Sequence, residues 1–241
     1  MAHGSPQFDS TLWSQVLLAA REPDSAGGRQ ALGRLCSAYW YPVYAYVRRR
    51  GASPDDAQDL TQGFFQHILS SGFFARVDPG RGKFRSFLLG AVGNYLGDER
   101  DKRMSQRRGG GREEIPIDAT VGEQWLSVEP SAANDSTRAF DRSWATAVIN
   151  NAMTALEREQ VDAGKSQAFG GLKEFLQRPA MPGEYDEVAA KLNLSKGAVA
   201  ATVHRLNERF GELVRKSVRD TISDPEMAEE ELRFLHAALH N

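Results

Sequence analysis

The sequence predicts an all-α protein. Apolar residues recur at helical spacing through most of the 241 residues, and no stretch alternates apolar and polar residues between hairpin turns as a β-sheet requires. Between residues 113 and 141 the periodicity fails, and seven acids face a single arginine. A segment of this composition is expected to fold poorly alone. We therefore predict two helical domains, over 8–106 and 143–218, joined by a flexible acidic linker over 107–142 and followed by an acidic helical extension over 219–241.

The N-terminal block is predicted to contain helices over 10–21 and 29–50 and a third that begins at Ser53. Ser53 suits the N-cap, Pro54 the first helical position, and Asp55 and Asp56 the positive helix end. The residues predicted to face solvent are acids and amides, namely Asp55, Asp56, Asp59, Gln62 and Gln66. Such a face suits docking to a basic partner, or it only keeps the helix soluble.

Residues 81–112 join an apolar helical stripe to a basic, glycine-containing end. The segment carries nine Lys or Arg against three acids in a chain whose formal net charge is −2. The stripe consists of Phe84, Phe87, Leu88, Ala91, Val92, Tyr95 and Leu96. A local positive excess is typical of a nucleic-acid surface. A solvated helix end explains the charge equally well, because the macrodipole favours cations there.

The segment from Tyr185 has the pattern of a helix-turn-helix motif. Apolar residues fall at the spacing of two packed helices, Asn193 occupies the turn position that tolerates a left-handed backbone, and Ser195 is placed to cap the second helix. The second helix is predicted to expose Lys196, Thr202, Arg205 and Arg209. That face suits a DNA major groove. A helical hairpin used only for packing is the alternative.

Composition and motifs argue against several other classes. The chain is 41% hydrophobic and 26% charged, as ordinary globular proteins are, and it has neither a membrane-spanning run nor a signal-peptide region, so we expect a cytoplasmic protein without a membrane partner. Cys36 is the single cysteine and is expected to be a small core residue. The histidines lack metal-ligand spacing and no phosphate-binding loop occurs. We expect no cofactor, no metal and no enzymatic activity.

Three segments, in this order, resemble the sigma-70 family, specifically the two-domain extracytoplasmic-function (ECF) sigma factors of bacterial RNA polymerase. DDAQDLTQGFFQHIL is similar to the region 2 helix that binds the polymerase clamp. GKFRSFLLGAVGNYLGDERDKR is similar to the segment that melts the minus-ten promoter element, and SKGAVAATVHRLNERF to the region 4 helix that reads the minus-thirty-five element. The resemblance covers about residues 29–106 and 143–216. It implies a region 2-like bundle and a region 4-like helix-turn-helix domain.

The resemblance implies three sets of binding residues and two partners. The partners are core RNA polymerase, through its beta-prime clamp and beta flap, and promoter DNA. The residues implied to bind the polymerase are Asp55, Asp56, Asp59, Gln62 and Phe65. Those implied to bind minus-ten DNA are Arg85, Asn94, Arg100, Lys102, Arg103, Arg107 and Arg108. Those implied to bind minus-thirty-five DNA are Ser195, Lys196, Thr202, His204, Arg205 and Arg209.

Two departures from the family pattern carry hypotheses. Gln58 stands where the clamp motif usually has Glu, and Thr61 follows about one helical turn later. Phosphorylation of Thr61 would add a charge of about −1.5 to −2 and switch polymerase binding on; a buried packing threonine is the alternative. Control would then come from a Ser/Thr kinase, or else from an anti-sigma factor. In the second helix of the helix-turn-helix motif, Ala200, Ala201 and Thr202 stand where relatives often have Arg or Ser. This predicts weaker or more methyl-centred reading of the upstream element.

Three other functions remain open from the sequence. A helix-turn-helix transcription regulator would bind duplex DNA without polymerase, usually as a symmetric dimer. A helical adaptor or anti-sigma-like protein would act through its acidic segments and tolerate loss of the basic residues. An RNA-processing enzyme would need a carboxylate site assembled across the linker.

Overall fold

A computed structural model of the chain describes residues 26–70, 84–105, 119–128, 136–222 and 225–240. Within these ranges every regular element is helical, which confirms the predicted all-α class. The α-helices are α1 (Ala26–Arg49), α2 (Pro54–Ser70), α3 (Phe84–Ser105), α4 (Ala119–Val128), α5 (Ser136–Asp162), α6 (Ser166–Leu172), α7 (Glu184–Leu192), α8 (Lys196–Arg219) and α9 (Ala228–His240). Short 3-10 turns cover Lys173–Leu176 and Pro225–Met227. The helix predicted over 10–21 lies outside the described residues.

The chain divides into two compact units. The first comprises Met1–Ala147 and Arg219–Asn241, and the second comprises Val148–Val218. The second unit lies within five residues of the predicted 143–218 domain. The C-terminal extension, for which the sequence indicated no partner, belongs to the first unit.

Helix α1 is the central element of the first unit. Every residue from Tyr39 to Val47 is buried, and a helix that is buried on all sides is surrounded by other elements. It packs against α2 and α4, and α2 also contacts α3 and α4.

Helix α2 begins as the sequence predicts. Ser53 Oγ accepts a hydrogen bond from the Asp56 backbone N–H at 3.1 Å and donates to the Asp56 carboxylate at 2.8 Å. This cap satisfies one of the four backbone donors that a helix start leaves unpaired. The same contacts hold the Asp56 carboxylate in a fixed position at the exposed start of the helix.

Helix α4 lies in the segment predicted to be a flexible linker, so the linker prediction is wrong over 119–128. Glu123 accepts hydrogen bonds from the Tyr44 hydroxyl at 2.6 Å and from Arg48 Nε and Nη2 at 2.6 and 3.1 Å. The Trp125 ring packs edge-on against Tyr41. A β-carbon at Gly122 would lie 3.0 Å from the rings of Trp40 and Tyr44, so glycine permits this close approach. The start of α5 at Ser136 likewise orders the end of the predicted linker.

Glu123→Gln is expected to loosen α4. Hydrogen bonds, first from Arg48 and then from Tyr44, hold the pKa of Glu123 below its ordinary value, although burial opposes them. The ionised Glu123 carboxylate therefore stabilises the folded state fully above about pH 4.3. This stabilisation is lost as the pH falls through the lower pKa that Glu123 has in the folded state. At pH 7 the variant should exchange amides 119–128 about fivefold faster, as a partly exposed pair allows. Unchanged exchange in the variant would contradict this role for Glu123.

The second unit contains the predicted helix-turn-helix. Asn193 ends α7 with φ 54° and ψ 45°, the left-handed conformation expected there. The Leu194 backbone N–H then donates to the Ala189 carbonyl at 2.9 Å, and Ser195 Oγ caps α8 by accepting from the Ala198 N–H at 3.2 Å. The residues buried between the helices include Val188, Ala189, Val199, Val203 and Leu206. Leu194, an apolar residue at the turn of this pattern, is 42% exposed.

Candidate functional site

The acidic face of α2 consists of three exposed carboxylates. Asp55, Asp56 and Asp59 all lie in the first two turns and face solvent. Gln62 and Phe65, which were expected to bind the same partner, are only 7% and 1% exposed. Helical geometry explains this correction, because positions 62 and 65 fall on the flank of α2 that packs into the first unit. The fully exposed part of the predicted face is therefore short and consists of these three carboxylates, with Gln58 and Gln66 only partly exposed.

Thr61 is a core residue in this structure. Its side chain is 0% exposed, and its hydroxyl has no hydrogen-bond partner among the described residues. A kinase needs its hydroxyl acceptor at a surface, so this conformation contradicts the prediction of Thr61 as a phosphorylation site. The alternative of a buried packing threonine agrees with the structure.

Arg85 is also buried, and the expectation that it faces DNA is corrected. Its side chain is 4% exposed, and it forms ion pairs with Asp141 of α5 and Glu231 of α9. Desolvation lowers the pKa of Arg85, and the nearby Asp141 opposes that shift. The guanidinium is thus committed to two carboxylates of its own chain.

The remaining residues predicted to bind minus-ten DNA differ in exposure. Asn94 and Arg100 face solvent on α3. Lys102 is exposed, and its ammonium lies 3.0 Å from Glu99 one turn earlier. The side chain of Arg103 and the whole of Arg107 and Arg108 lie outside the described residues. The structure therefore brings Asn94, Arg100 and Lys102 onto one helix, toward its C-terminal end.

Helix α8 presents fewer available donors than the sequence indicated. Lys196 is exposed but pairs with Asp186 of α7 at 2.8 Å. Thr202 Oγ1 donates to the Ala198 carbonyl and accepts from Arg205 Nη2 at 3.0 Å. Arg205 thereby holds its side chain along the exposed surface of α8.

Two further predicted contacts of α8 have carboxylate neighbours. Arg209 makes a bidentate pair with Glu159 at 2.7 and 2.9 Å and a third bond to Glu212 at 2.6 Å. Hydrogen bonds from Arg209 lower the pKa of Glu159. His204 is exposed and lies 3.5 Å from Glu208. A phosphate would have to compete with these acids for Arg209.

Sequence reasoning missed the residues that surround Arg85. Asp141 was counted among the linker acids and Glu231 among the acids of the extension, although both bind the same guanidinium. Trp144 and Phe234 contact it with their rings. Only the apolar neighbours of Glu231 in α9 hinted at burial.

Other chemistry is not indicated in the described ranges. They contain no group of three or more His, Cys, Asp or Glu residues able to hold a metal ion. Burial raises the pKa of the Cys36 thiol to about 11, which disfavours a reactive thiolate at neutral pH. Among the helices described, none is long and apolar enough to cross a membrane.

No protein-family model matches the sequence, and comparisons with curated proteins and with solved structures found no match.

Proposed function

We propose that this chain is a bacterial transcription initiation factor of the ECF sigma type, which binds core RNA polymerase and directs promoter recognition and opening. The observation that supports this most is the helix-turn-helix of α7 and α8, with its left-handed Asn193 and its capped second helix. A motif of this geometry presents its second helix to a major groove. It lies in a compact unit separate from the acidic and basic surfaces of the first unit.

The acidic face of α2 is the proposed polymerase contact. Its three carboxylates, Asp55, Asp56 and Asp59, are exposed together, and a basic clamp helix is the complementary surface. Electrostatic complementarity of this kind accelerates association and fixes the orientation of the partner. Because Gln62 and Phe65 are buried, the charged residues have to supply the specificity.

The basic end of α3 is the proposed contact for the opened promoter strand. Arg100 and Lys102 supply positive charge and Asn94 supplies amide hydrogen bonds, all from exposed positions. The resemblance extends this surface to Arg103, Arg107 and Arg108. Proteins bind single strands by placing cations along the phosphate backbone and by stacking the bases on nearby planar side chains.

Helix α8 is the proposed reader of the upstream promoter element, with the beta flap of the polymerase as a second partner. Lys196, His204 and Arg205 are exposed on it. Ala200 and Ala201 offer no hydrogen-bond donors, so discrimination there would rest on methyl contacts. Specificity is therefore expected to depend more on the first unit.

Capture of core RNA polymerase by the purified full chain tests this function. Asp59→Lys is expected to weaken capture about tenfold or more, because it brings a cation against a basic clamp. Glu157→Lys is the matched control, since it reverses an exposed carboxylate elsewhere, and it should capture as well as wild type. Loss of capture in both variants would contradict a specific role for the acidic face.

Failure of wild type to capture polymerase would overturn the sigma-factor proposal. If that chain still bound promoter duplexes in an electrophoretic shift, it would be a helix-turn-helix regulator that acts without the polymerase core. The compact second unit favours this as the second candidate. Either function would place the protein in the cytoplasm, beside the chromosome.

A further inference from the structure

A buried ionic cluster ties the C-terminal helix α9 to helix α3. Arg85 Nε donates to Asp141 Oδ1 at 2.8 Å, and Arg85 Nη1 pairs with Glu231 Oε1. Arg85 and Glu231 are 4% and 2% exposed. Three helices, α3, α5 and α9, therefore meet at one guanidinium.

Aromatic rings complete the cluster. The Arg85 Cζ atom lies 4.8 Å from the centre of the Trp144 ring and 4.0 Å from that of Phe234. Cations are attracted to ring faces at these distances, most strongly where water is excluded. Phe234 follows Glu231 by three residues, so α9 supplies both an anion and a ring from one face.

Other contacts hold α9 along its length. Ala228 and Leu235 are buried on the same helix. At the far end, Arg142 Nε donates to the Ala238 carbonyl at 3.4 Å, where a helix C-terminus favours a cation. Two neighbouring residues of α5 are thus connected to α9. Asp141 is connected through Arg85, and Arg142 contacts α9 directly.

The cluster opposes the function proposed for α3, because it withholds Arg85 from phosphates. Residues 225–240 contain four acids and one arginine, and one of these acids, Glu231, is fixed to the first turn of α3 through Arg85. A cation already paired with carboxylates adds little to the positive potential that attracts phosphates. A buried ion pair also contributes less stability than an apolar contact of equal volume, which suits a contact that opens.

We propose that α9 is an intramolecular latch that restrains nucleic-acid binding by the first unit. In the closed state Glu231 and Phe234 hold Arg85 inside. On release, Arg85 loses its contacts with Glu231 and Phe234, keeps Asp141 as a partner, and becomes more accessible to a phosphate. This inference rests on the proposed function of α3 and names the regulation of that surface.

Glu231→Gln in the full chain tests the latch, with Phe234→Ala as a second opening variant. Glu231→Gln removes the charge that faces Arg85 and keeps the side-chain volume. Glu229→Gln is the control, because it removes the same charge from an exposed position two residues earlier. Hydrogen exchange of amides 228–240 reports whether the latch opens. Fluorescence anisotropy with a labelled single-stranded DNA of mixed sequence reports binding.

The latch requires both readouts to change together. Glu231→Gln and Phe234→Ala should exchange faster in α9 and bind the DNA about fivefold or more tightly, the lower range of coupling between sites. Glu229→Gln should match wild type in both. Faster exchange with unchanged binding would show that α9 is only structural, and unchanged exchange would show that the cluster does not hold it. Either result overturns the latch, whereas failure of the sigma-factor proposal shows separately as absent polymerase capture.

Discussion

Thr61→Asp is expected to lower the free energy of unfolding of the first unit by about 3–5 kcal/mol, the cost of an uncompensated buried charge. The side chain at this position is fully enclosed, and no described residue hydrogen-bonds to its hydroxyl. A carboxylate there would lose its hydration without gaining a partner. Urea unfolding followed by circular dichroism measures the change, and an unaltered slope would show that the unfolded state is the same.

Thr61→Val is the matched control for this substitution. Valine has the shape of threonine without the hydroxyl, and removing an unpaired buried polar group should stabilise the unit by about 1 kcal/mol. The two variants should therefore move the unfolding midpoint in opposite directions. If Thr61→Asp were as stable as wild type and captured more polymerase, Thr61 would be a surface switch after all.

Arg85→Ala is expected to cost about 3–5 kcal/mol, because it leaves the buried Glu231 carboxylate and the partly exposed Asp141 without their shared cation. It also removes the group that both aromatic rings contact. Arg100→Ala serves as the control, since Arg100 is exposed on the same helix and a surface substitution should stay within about 0.5 kcal/mol. Denaturant unfolding of both variants gives the comparison.

DNA binding should rank the two variants in the opposite order to stability, with Arg100→Ala affected more than Arg85→Ala. In the folded fraction, Arg100→Ala should weaken binding to single-stranded DNA and flatten its salt dependence, as loss of a phosphate contact does. A stable Arg85→Ala variant with that same binding defect would mean that Arg85 is a surface residue.

Local signals predicted the elements whose determinants are close in sequence. The cap at Ser53, the left-handed turn at Asn193 and the cap at Ser195 each depend on residues within one turn, and each lies where predicted. The buried stripe of α3 was likewise predicted, with Leu88 and Val92 fully enclosed. Periodicity is a property of a short window, which is why these features are legible.

The errors involve partners that are distant in the chain. Arg85 was assigned to a surface because its neighbours are basic, yet its partner Asp141 is 56 residues away. Helix α4 was missed because a Gly triplet, Pro116 and Pro130 interrupt the helical periodicity around it. The residues that fix Glu123, Tyr44 and Arg48, lie far away in α1. Thr61 was predicted to lie close to the exposed acidic face of α2. On a helix, however, residues only one or two positions apart can face solvent and core respectively, as Asp59 and Thr61 do. Composition reports charge, and only the fold decides which charges reach solvent.

The first unit is discontinuous, because Arg219–Asn241 completes a body that begins before Ala147. During synthesis on a ribosome, every residue of the second unit is added before Glu231. The second unit can therefore fold first, since chains acquire structure domain by domain from the N-terminus. Arg85 has Asp141 as an ion partner for that interval and gains Glu231 only after α9 has been made. The first unit can thus be completed only after the whole of the second unit has been synthesised.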